Sequence, residues 1–225
     1  NYLKKLNLNK SGTFNFENDA AYLNTSLKNK TIVTTDTIVE NIDFFTNDPP
    51  ESIAQKIICV NLSDISAMGA VPKTYTLNLS INSKIDKIWL RKFSNHLSKM
   101  QKKYNLYLLG GDISRSKEVS VTVTCFGDSM LKNIIKQKNT NIGDDIWVTG
   151  ELGNSYVGYK IFKNTKLRIE KKYIKKFKKF FLFPKPCMFG SKVSKYINSA
   201  TDISDGFYGD LQKILNNRIG AKISR

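Results

Sequence analysis

Acidic and hydroxyl side chains cluster beside apolar stretches at three places in the sequence. The segments are IVTTDT (32–37), LYLLGGDISRS (106–116) and SATDISDG (199–206). Each has the pattern of a strand that stops at an acidic turn, and open α/β sheets bind ligands beyond the carboxyl ends of their strands. Carboxylate and hydroxyl oxygens are the ligands that Mg²⁺ prefers. Because a cation bridges carboxylates to phosphate oxygens, the pattern predicts a polyphosphate site that contains Mg²⁺.

Other routes to catalysis lack the residues that they need. The sequence contains neither a GxxxxGK[ST] loop nor a GxGxxG fingerprint. Its single histidine, His96, lies beside the apolar stripe of a predicted helix, which favours a structural or exposed residue over a catalytic base. No serine or cysteine is paired with a nearby histidine for covalent acyl chemistry. Metal-assisted electrostatic catalysis is what remains.

One further carboxylate, Asp64, lies within a predicted helix. The helix begins at DPPE (48–51), where Asp48 is expected to cap the first amides, and it runs to Met68, with Gly69 ending it. A buried carboxylate needs a hydrogen bond or a metal ion. From this helix alone, a solvated stripe explains Asp64 equally well.

Alternating strands and helices are expected to position these groups. Period-two alternation predicts strands at 73–81 and 118–127, and apolar residues at three- and four-residue steps predict a helix over 85–104. DIWVTG (145–150) predicts another strand, and GFYGDLQKILNNR (206–218) a last helix that stops near Gly220.

The basic residues are interpreted as a solvated surface. Lys+Arg outnumber Asp+Glu by 36 to 19, a formal net charge of +17, and the lysines are spread along the chain as a compositional bias would spread them. The lysine-rich segment 160–183 predicts a helix with an apolar underside and a basic outer face, in preference to an RNA-binding or membrane-surface element. A positive field would steer anionic substrates into a cleft.

Length and cysteine content set the broad class. The 225 residues, 40% of them hydrophobic, can bury the core of one large or two small domains, and a polar connector over 131–143 indicates a boundary between residues 1–133 and 143–225. The three cysteines form no CxxC pair, which argues against zinc and disulfides. Without a signal peptide or membrane span, a reduced cytoplasmic protein is predicted. The chain starts without Met and ends just after a helix-like stretch, which predicts that it is a fragment of a longer protein.

Six longer motifs can be read along the chain: TTDTIVENIDFF (34–45), ICVNLSDISAMGAVPKTYTLNLSI (58–81), LLGGDISRS (108–116), GDDIWVTGELGNSYVGY (143–159), FPKP (183–186) and ATDISDGFYGDL (200–211). They occur in the order and spacing of the thiamine-monophosphate kinases, a family that the chain resembles over nearly its whole length. The enclosing superfamily also contains aminoimidazole ribonucleotide synthase, selenophosphate synthetase and a hydrogenase-maturation protein. The resemblance implies an α/β (α+β) fold with two domains, an N-terminal mixed sheet with helices and a C-terminal α+β domain that is incomplete here.

The family's activity implies transfer of the γ-phosphoryl group of ATP to thiamine monophosphate, giving thiamine diphosphate and ADP. The acceptor is already an anionic phosphate oxygen, so no protein base is needed, and several Mg²⁺ ions would screen the repulsion between two anions. The resemblance also implies a cytoplasmic homodimer in which the sheets of two subunits pair.

The resemblance assigns oxygen ligands for Mg²⁺ residue by residue. Two hydroxyl groups beside Asp36, those of Thr34 and Thr35, would add oxygen ligands, and Asp205 would hold a further ion. The main carboxylate ligands would be Asp19, Asp36, Asp64, Asp112 and Asp202.

It also assigns contacts to the two substrates. Ser204, Asp112 and the backbone at Gly111 are expected at the nucleotide, together with Gln137, which aligns with an ATP-binding arginine. Asp43 is expected near the phosphate of thiamine monophosphate, where the family has histidine.

The chain departs from the family pattern in its turns. Residues 17–20 read ENDA where the family has GDDA, so the second carboxylate, Asp19, is retained. Asn41 replaces a glycine and can adopt the same left-handed backbone.

Two alternatives stay open. Another ATP-using enzyme of the superfamily would share the half-site, although a selenophosphate synthetase would carry a reactive N-terminal cysteine, and the first cysteine here is Cys59. A nucleic-acid-binding protein would explain the charge, but the repeated acidic segments would repel phosphates.

Overall fold

A single five-stranded sheet forms the centre of the computed structural model, which describes residues 13–14, 17–24, 30–129, 134–189, 193–215 and 219–223. The strand order is β1-β2-β5-β3-β4, and every neighbouring pair is antiparallel except β3 and β4. The strands are β1 Ala21–Asn24, β2 Lys30–Val39, β3 Val71–Ile81, β4 Tyr107–Arg115 and β5 Ser120–Ser129.

Helices cover one face of this sheet and form a second packed group after it. The first helix contacts β2, β3 and β5, the second packs on the first, and the third packs on the fourth. None of the helices in the described part of the chain is long and apolar enough to cross a membrane. The helices are α1 Pro50–Ala67, α2 Lys87–Tyr104, α3 Asn154–Phe162, α4 Lys171–Leu182 and α5 Phe207–Ile214.

The first helix is buried on nearly all sides. Its isoleucines and Leu62 pack against the sheet, while its polar side chains bond to the segment that follows α4: Gln55 donates to the Pro184 carbonyl at 2.7 Å, and Ser66 to that of Cys187 at 2.8 Å. Gly69, at φ +71°, lies just past the helix end as predicted. Asp48 does not cap the helix. Its carboxylate accepts from the Phe45 N–H instead, at 3.0 Å, because Pro49 is the residue at the cap position.

The two faces of the sheet differ in chemistry. Strand alternation places Val121, Val123 and Cys125 of β5 on the face that α1 covers. The opposite face carries hydroxyl side chains that bond across strands, Thr35 to Thr124 at 3.0 Å and Thr37 to Thr122 at 2.8 Å. These features confirm the strands predicted at 73–81 and 118–127, and α2 confirms the helix predicted over 85–104.

The prediction that each of the three acidic segments ends a strand is wrong. Asp36 lies within β2, and Asp112 lies within β4. The β-branched threonines around Asp36 favour continued strand, and β5 supplies the hydrogen-bonding partner along the whole of β2. The third segment follows an isolated bridge between Lys136 and Ser199 and no strand of the described chain, and it bends at residues 204–205, just before α5.

Three predicted elements after residue 140 also differ. Residues 145–150 form no strand, since no described segment pairs with them, and the Trp147 side chain is 88% exposed. The basic segment 160–183 is divided between α3 and α4 by non-helical residues 163–170, and the apolar side of α4 packs on α3. The last helix ends at Ile214, and residues 216–218 of its predicted range lie outside the described residues.

Candidate active site

Two carboxylates meet between the sheet and α1. Thr34 and Asp36 both point from β2 towards the helix, because residues two apart share a face of a strand. The Thr34 hydroxyl donates to Asp64 Oδ2 at 2.6 Å, and the carboxyl groups of Asp36 and Asp64 are hydrogen-bonded to each other. Burial raises the pKa of Asp64 to about 8, and repulsion by Asp36 adds to the shift. The pKa of Asp36 is raised for the same main reason.

A third carboxylate, Asp19, is supported on one oxygen only. Its Oδ1 accepts hydrogen bonds from the Gln137 side-chain amide and, at 3.2 Å, from the Thr201 hydroxyl. Its Oδ2 is buried and has no hydrogen-bond partner. Burial raises the pKa of Asp19, so the unpartnered oxygen favours either a proton or a cation.

The fourth acid, Asp202, brings the third acidic segment to the same place. Burial is the main cause that raises its pKa to about 7, and repulsion from Asp19 and Asp210 adds to the shift. The negative charges of Asp202 and Asp19 also raise the pKa of Asp64, so the four acids form one electrostatic group. We call Asp19, Asp36, Asp64 and Asp202 the acidic cluster.

The acidic cluster is not a closed cage for one ion. Among the residues that the structure describes, no three acidic, histidine or cysteine side chains lie close enough to enclose a metal. Mg²⁺ is usually held by one or two carboxylates together with phosphate oxygens and waters. The cluster therefore suits cations that are shared with a phosphorylated ligand.

The turn after Asp202 is held by a buried carboxylate. Asp210 Oδ2 accepts from the backbone N–H groups of Ser204, Asp205 and Gly206, each at 3.0 Å. Gly206 has φ +110°, a backbone conformation that side chains disfavour, so the turn requires a glycine there.

Thr35 and Asp112 are not brought to the acidic cluster. Thr35 bonds to Thr124 and to the Val123 carbonyl on the hydroxyl face. In the register of the sheet Asp36 shares a row with Gly111, so Asp112 points to the opposite face from Asp36. Three strand-to-strand steps also separate β2 from β4, roughly 14 Å in all.

Gly111 has a packing role in this structure. A Cβ there would overlap the backbone carbonyl of Leu77 on β3, whereas one at Gly110 would meet nothing. Close approach of β4 to β3 is therefore enough to require a glycine at position 111.

The loop after β2 carries Asp43. Asn41 adopts the left-handed conformation at φ +64°, as expected for a residue in the place of glycine. The Asp43 carboxylate turns back to accept from the Val39 N–H at 2.8 Å, and its carbonyl accepts from Lys56 Nζ at 2.6 Å. Burial lowers the pKa of Lys56 to about 8, and its ammonium lies 3.9 Å from the ring centroid of Phe181.

The chain is similar in sequence and fold to known proteins. A family model described as AIR synthase related protein, N-terminal domain, matches residues 17–128. The thiamine-monophosphate kinase of Buchnera aphidicola subsp. Acyrthosiphon pisum is 38% identical over 212 residues, covering 92% of this chain and 64% of that protein. Residues 17–128 belong to the AIR synthase-related family. Over most of its length the chain is similar to thiamine-monophosphate kinases.

Further members of the family show the same relation. The thiamine-monophosphate kinase of Escherichia coli K12 is 34% identical over 207 residues, covering 91% of this chain and 63% of that protein. A solved structure of AaThiL complexed with AMPPCP and TMP matches with a TM-score of 0.84 and 26% identity, over 95% of this chain and 67% of that one. The chain thus spans somewhat less than two thirds of the curated relatives. The predicted family fold is confirmed.

Several supporting residues of this family member were missed by sequence reasoning. Asn18 accepts from the Gln137 N–H at 3.1 Å, and Thr201 bonds to Asp19, so both act beside a predicted ligand. Lys56 and Lys213 could not be distinguished from the many other lysines. Asp210 did carry a signal, an acid four residues after the glycine that begins α5.

Proposed function

We propose that this protein is a thiamine-monophosphate kinase that transfers the γ-phosphoryl group of ATP to thiamine monophosphate. The acidic cluster carries the proposal, because it joins carboxylates from four separate segments in one electrostatic group, and one of their oxygens, Asp19 Oδ2, is buried without a hydrogen-bond partner. The relatives named thiamine-monophosphate kinases and the AaThiL complex with AMPPCP, an ATP analogue, and TMP support the two substrates.

The residues fit Mg²⁺ as the cofactor. Hard oxygen donors are present, one of them is unpartnered, and the pKa values of Asp64 and Asp202 are raised to about 8 and 7 by burial and mutual repulsion. Thr34 adds a hydroxyl beside Asp64. When bound, the cations would neutralise phosphate charge and stabilise the charge on the transferring group. The proposed ligands are Asp19, Thr34, Asp36, Asp64 and Asp202, with Asp205 at a further ion.

The remaining task of the protein's side chains is to bind the two substrates and orient their phosphate groups. The acceptor oxygen is anionic, so no side chain has to remove a proton from it, and positioning two phosphates in line is the main task. His96 is engaged with Gln55 at 3.0 Å on the outer side of α1, consistent with the predicted structural role. Gln137 holds Asp19, and we propose that it reaches the nucleotide only through that carboxylate.

The acceptor is proposed to lie beside the loop 40–45. Asp43 repels the ionised form of Asp36, which places the loop next to the acidic cluster. Lys56 of α1 holds the loop by donating a hydrogen bond to the Asp43 carbonyl. Phe45 packs on Tyr159 and Phe181, so the same loop is fixed to α3 and α4.

The activity is tested by chromatography. The full-length protein is incubated with ATP, Mg²⁺ and thiamine monophosphate, with EDTA as a control, and thiamine diphosphate is measured. Metal-dependent product supports the proposal. A folded protein that binds ATP but forms no product would refute it and direct attention to another acceptor.

We also propose a homodimer in which β4 of one subunit pairs with the second subunit. This strand has one unpaired edge among the described residues, and its apolar side chains are exposed, Leu109 to 58% and Ile113 to 66%. An exposed apolar edge strand is a template for pairing with another chain. Because Asp112 lies far from the acidic cluster of its own chain, we propose that it serves the site of the partner subunit.

Subunit mixing tests this arrangement. Asp64→Asn and Asp112→Asn are each expected to abolish turnover alone. If Asp112 acts in the partner's site, a mixed dimer contains one intact site, and random mixing restores about a quarter of the wild-type activity for a two-fold symmetric dimer. No recovery in mixed dimers isolated with two different tags would place both acids in the same subunit's site.

We propose that the protein has two domains and lies in the cytoplasm. All five strands precede residue 130, and α3 packs on α4 within the later part, which supports domains at 1–133 and 143–225. Free cysteines at 59, 125 and 187 are compatible with a reducing cytoplasm.

A further inference from the structure

Lys213 supplies a positive charge within the third acidic segment. Its Nζ lies 2.9 Å from Asp205 Oδ2 and 2.7 Å from Asp210 Oδ1. Its charge also opposes the rise in the pKa values of Asp19 and Asp202, so it acts electrostatically on the acidic cluster. One ammonium group therefore bonds to the acid proposed for a further metal ion and partly neutralises two others.

Asp210 makes this contact specific. The side chain is 1% exposed, and one of its oxygens is fully used by three backbone N–H groups of the turn. Its other oxygen, Oδ1, forms an ion pair with the ammonium group of Lys213, one turn further along α5. The lysine thus has a fixed anchor on Asp210 and a second, exposed partner, Asp205, whose side chain is 71% exposed. Only the second partner can be released without disturbing the turn.

We propose that Asp210 and Lys213 are positioning residues for the turn 202–206: Asp210 fixes its backbone, and Lys213 holds Asp205 as an internal counter-ion that a divalent cation has to displace. This rests on the proposed function for the identity of the site. A cation that binds Asp205 would leave Lys213 on Asp210, so the turn keeps its shape while the carboxylate changes partner.

Direct binding of Mn²⁺ tests the proposal without turnover. Free Mn²⁺ is measured by electron paramagnetic resonance in the full chain without nucleotide, for the wild type, Lys213→Met, Lys213→Arg and a control, Lys176→Met. Lys176 is matched because it also forms an ion pair at 2.9 Å, with Glu151. Removing a competing charge is expected to lower the Kd for Mn²⁺ at least about threefold in Lys213→Met alone, with Lys213→Arg close to the wild type.

Three results would overturn the counter-ion role. These are unchanged or weaker Mn²⁺ binding in Lys213→Met, equal tightening in Lys176→Met, and no Mn²⁺ binding in any of the proteins. Asp210→Asn tests the anchor, because an amide cannot accept from three N–H groups as a carboxylate does. Weaker Mn²⁺ binding in that variant, with an unchanged circular dichroism spectrum, is expected, and wild-type affinity would refute the anchor.

The kinase proposal can fail separately. A lack of thiamine diphosphate formation together with the expected Mn²⁺ shifts would refute the activity and leave the roles of Asp210 and Lys213 intact.

Discussion

Asp64 shows how one residue connects stability with ligand binding. Burial raises the pKa of its carboxyl group to about 8, and repulsion by Asp36 adds to the shift, while the hydrogen bond from Thr34 opposes it. The raised pKa favours the neutral form in the metal-free protein, and a divalent cation would favour the ionised form. Linkage between proton binding and folding turns this into a measurable pH dependence.

Metal-free protein is expected to lose stability as the pH rises from about 4 to 8. The folded pKa of Asp64 lies above its ordinary value of 3.8, so the stabilisation is complete below that value and disappears as the pH rises through about 8. Asp202, at about 7, adds a shift of the same sign. Melting temperature in EDTA measures the loss, at about 2–4 °C for each kcal/mol.

Asp64→Asn is the matched variant for this prediction. It should flatten the pH dependence in part and lose most of the rise in melting temperature that Mg²⁺ gives the wild type. An unaltered pH profile in the variant would show that Asp64 does not bind the proton.

Among the secondary-structure elements, close backbone approach explains two glycines better than flexibility does. Gly111 lets β4 approach the backbone of β3, and Gly158 lets α3 approach α4, where a Cβ would overlap the Phe177 carbonyl. Gly209 in α5 has no such neighbour, since a Cβ placed there would lie 4.0 Å from its nearest contact, the Cβ of Asp205. Helix propensity alone would treat the two helical glycines alike.

Gly158→Ala and Gly209→Ala are therefore expected to change stability in opposite directions. Alanine at 209 should stabilise by up to about 1 kcal/mol through helix propensity. At 158 the clash outweighs that gain, and overpacking should cost about 1–3 kcal/mol. Urea unfolding of both variants measures the difference, and stabilisation by Gly158→Ala would contradict the packing between α3 and α4.

At the scale of the whole molecule, β4 lies at an edge of the sheet, where we propose that a second copy of the chain pairs. The acidic cluster is assembled from β2, α1 and the segments around Asp19 and Asp202, while Asp112 lies on the outermost strand. The exposed apolar residues of that strand are the surface expected to meet a second copy.

Ile113→Lys is expected to convert a dimer into a monomer in sedimentation velocity, because lysine on an edge strand opposes pairing. The control is Ile142→Lys, since Ile142 is also exposed, to 88%, but lies in a loop. A wild-type monomer, or a dimer that survives Ile113→Lys, would contradict pairing through β4.

Much of the fold follows from local patterns. Alternation in β3 and β5 and the helical spacing in α2 predicted these elements, because one buried face requires a fixed period. Residues 145–150 had the apolar composition of a strand but lack a described partner, and strands form only by pairing. The strand ends predicted at Asp36 and Asp112 were wrong because the ladder with a neighbouring strand, not the acid, decides where a strand stops.

Residue types were enough to predict the kind of chemistry, since carboxylates, hydroxyls and the lack of a catalytic histidine can be read without a fold. They also established the family, because six motifs in order are a one-dimensional pattern. Which acids meet became clear from the three-dimensional arrangement alone, because the face and position of a strand depend on pairing: Asp36 faces Asp64, whereas Asp112 does not. The same holds for Asp210 and Lys213, whose roles depend on burial and on contacts between segments that the linear order of residues does not specify.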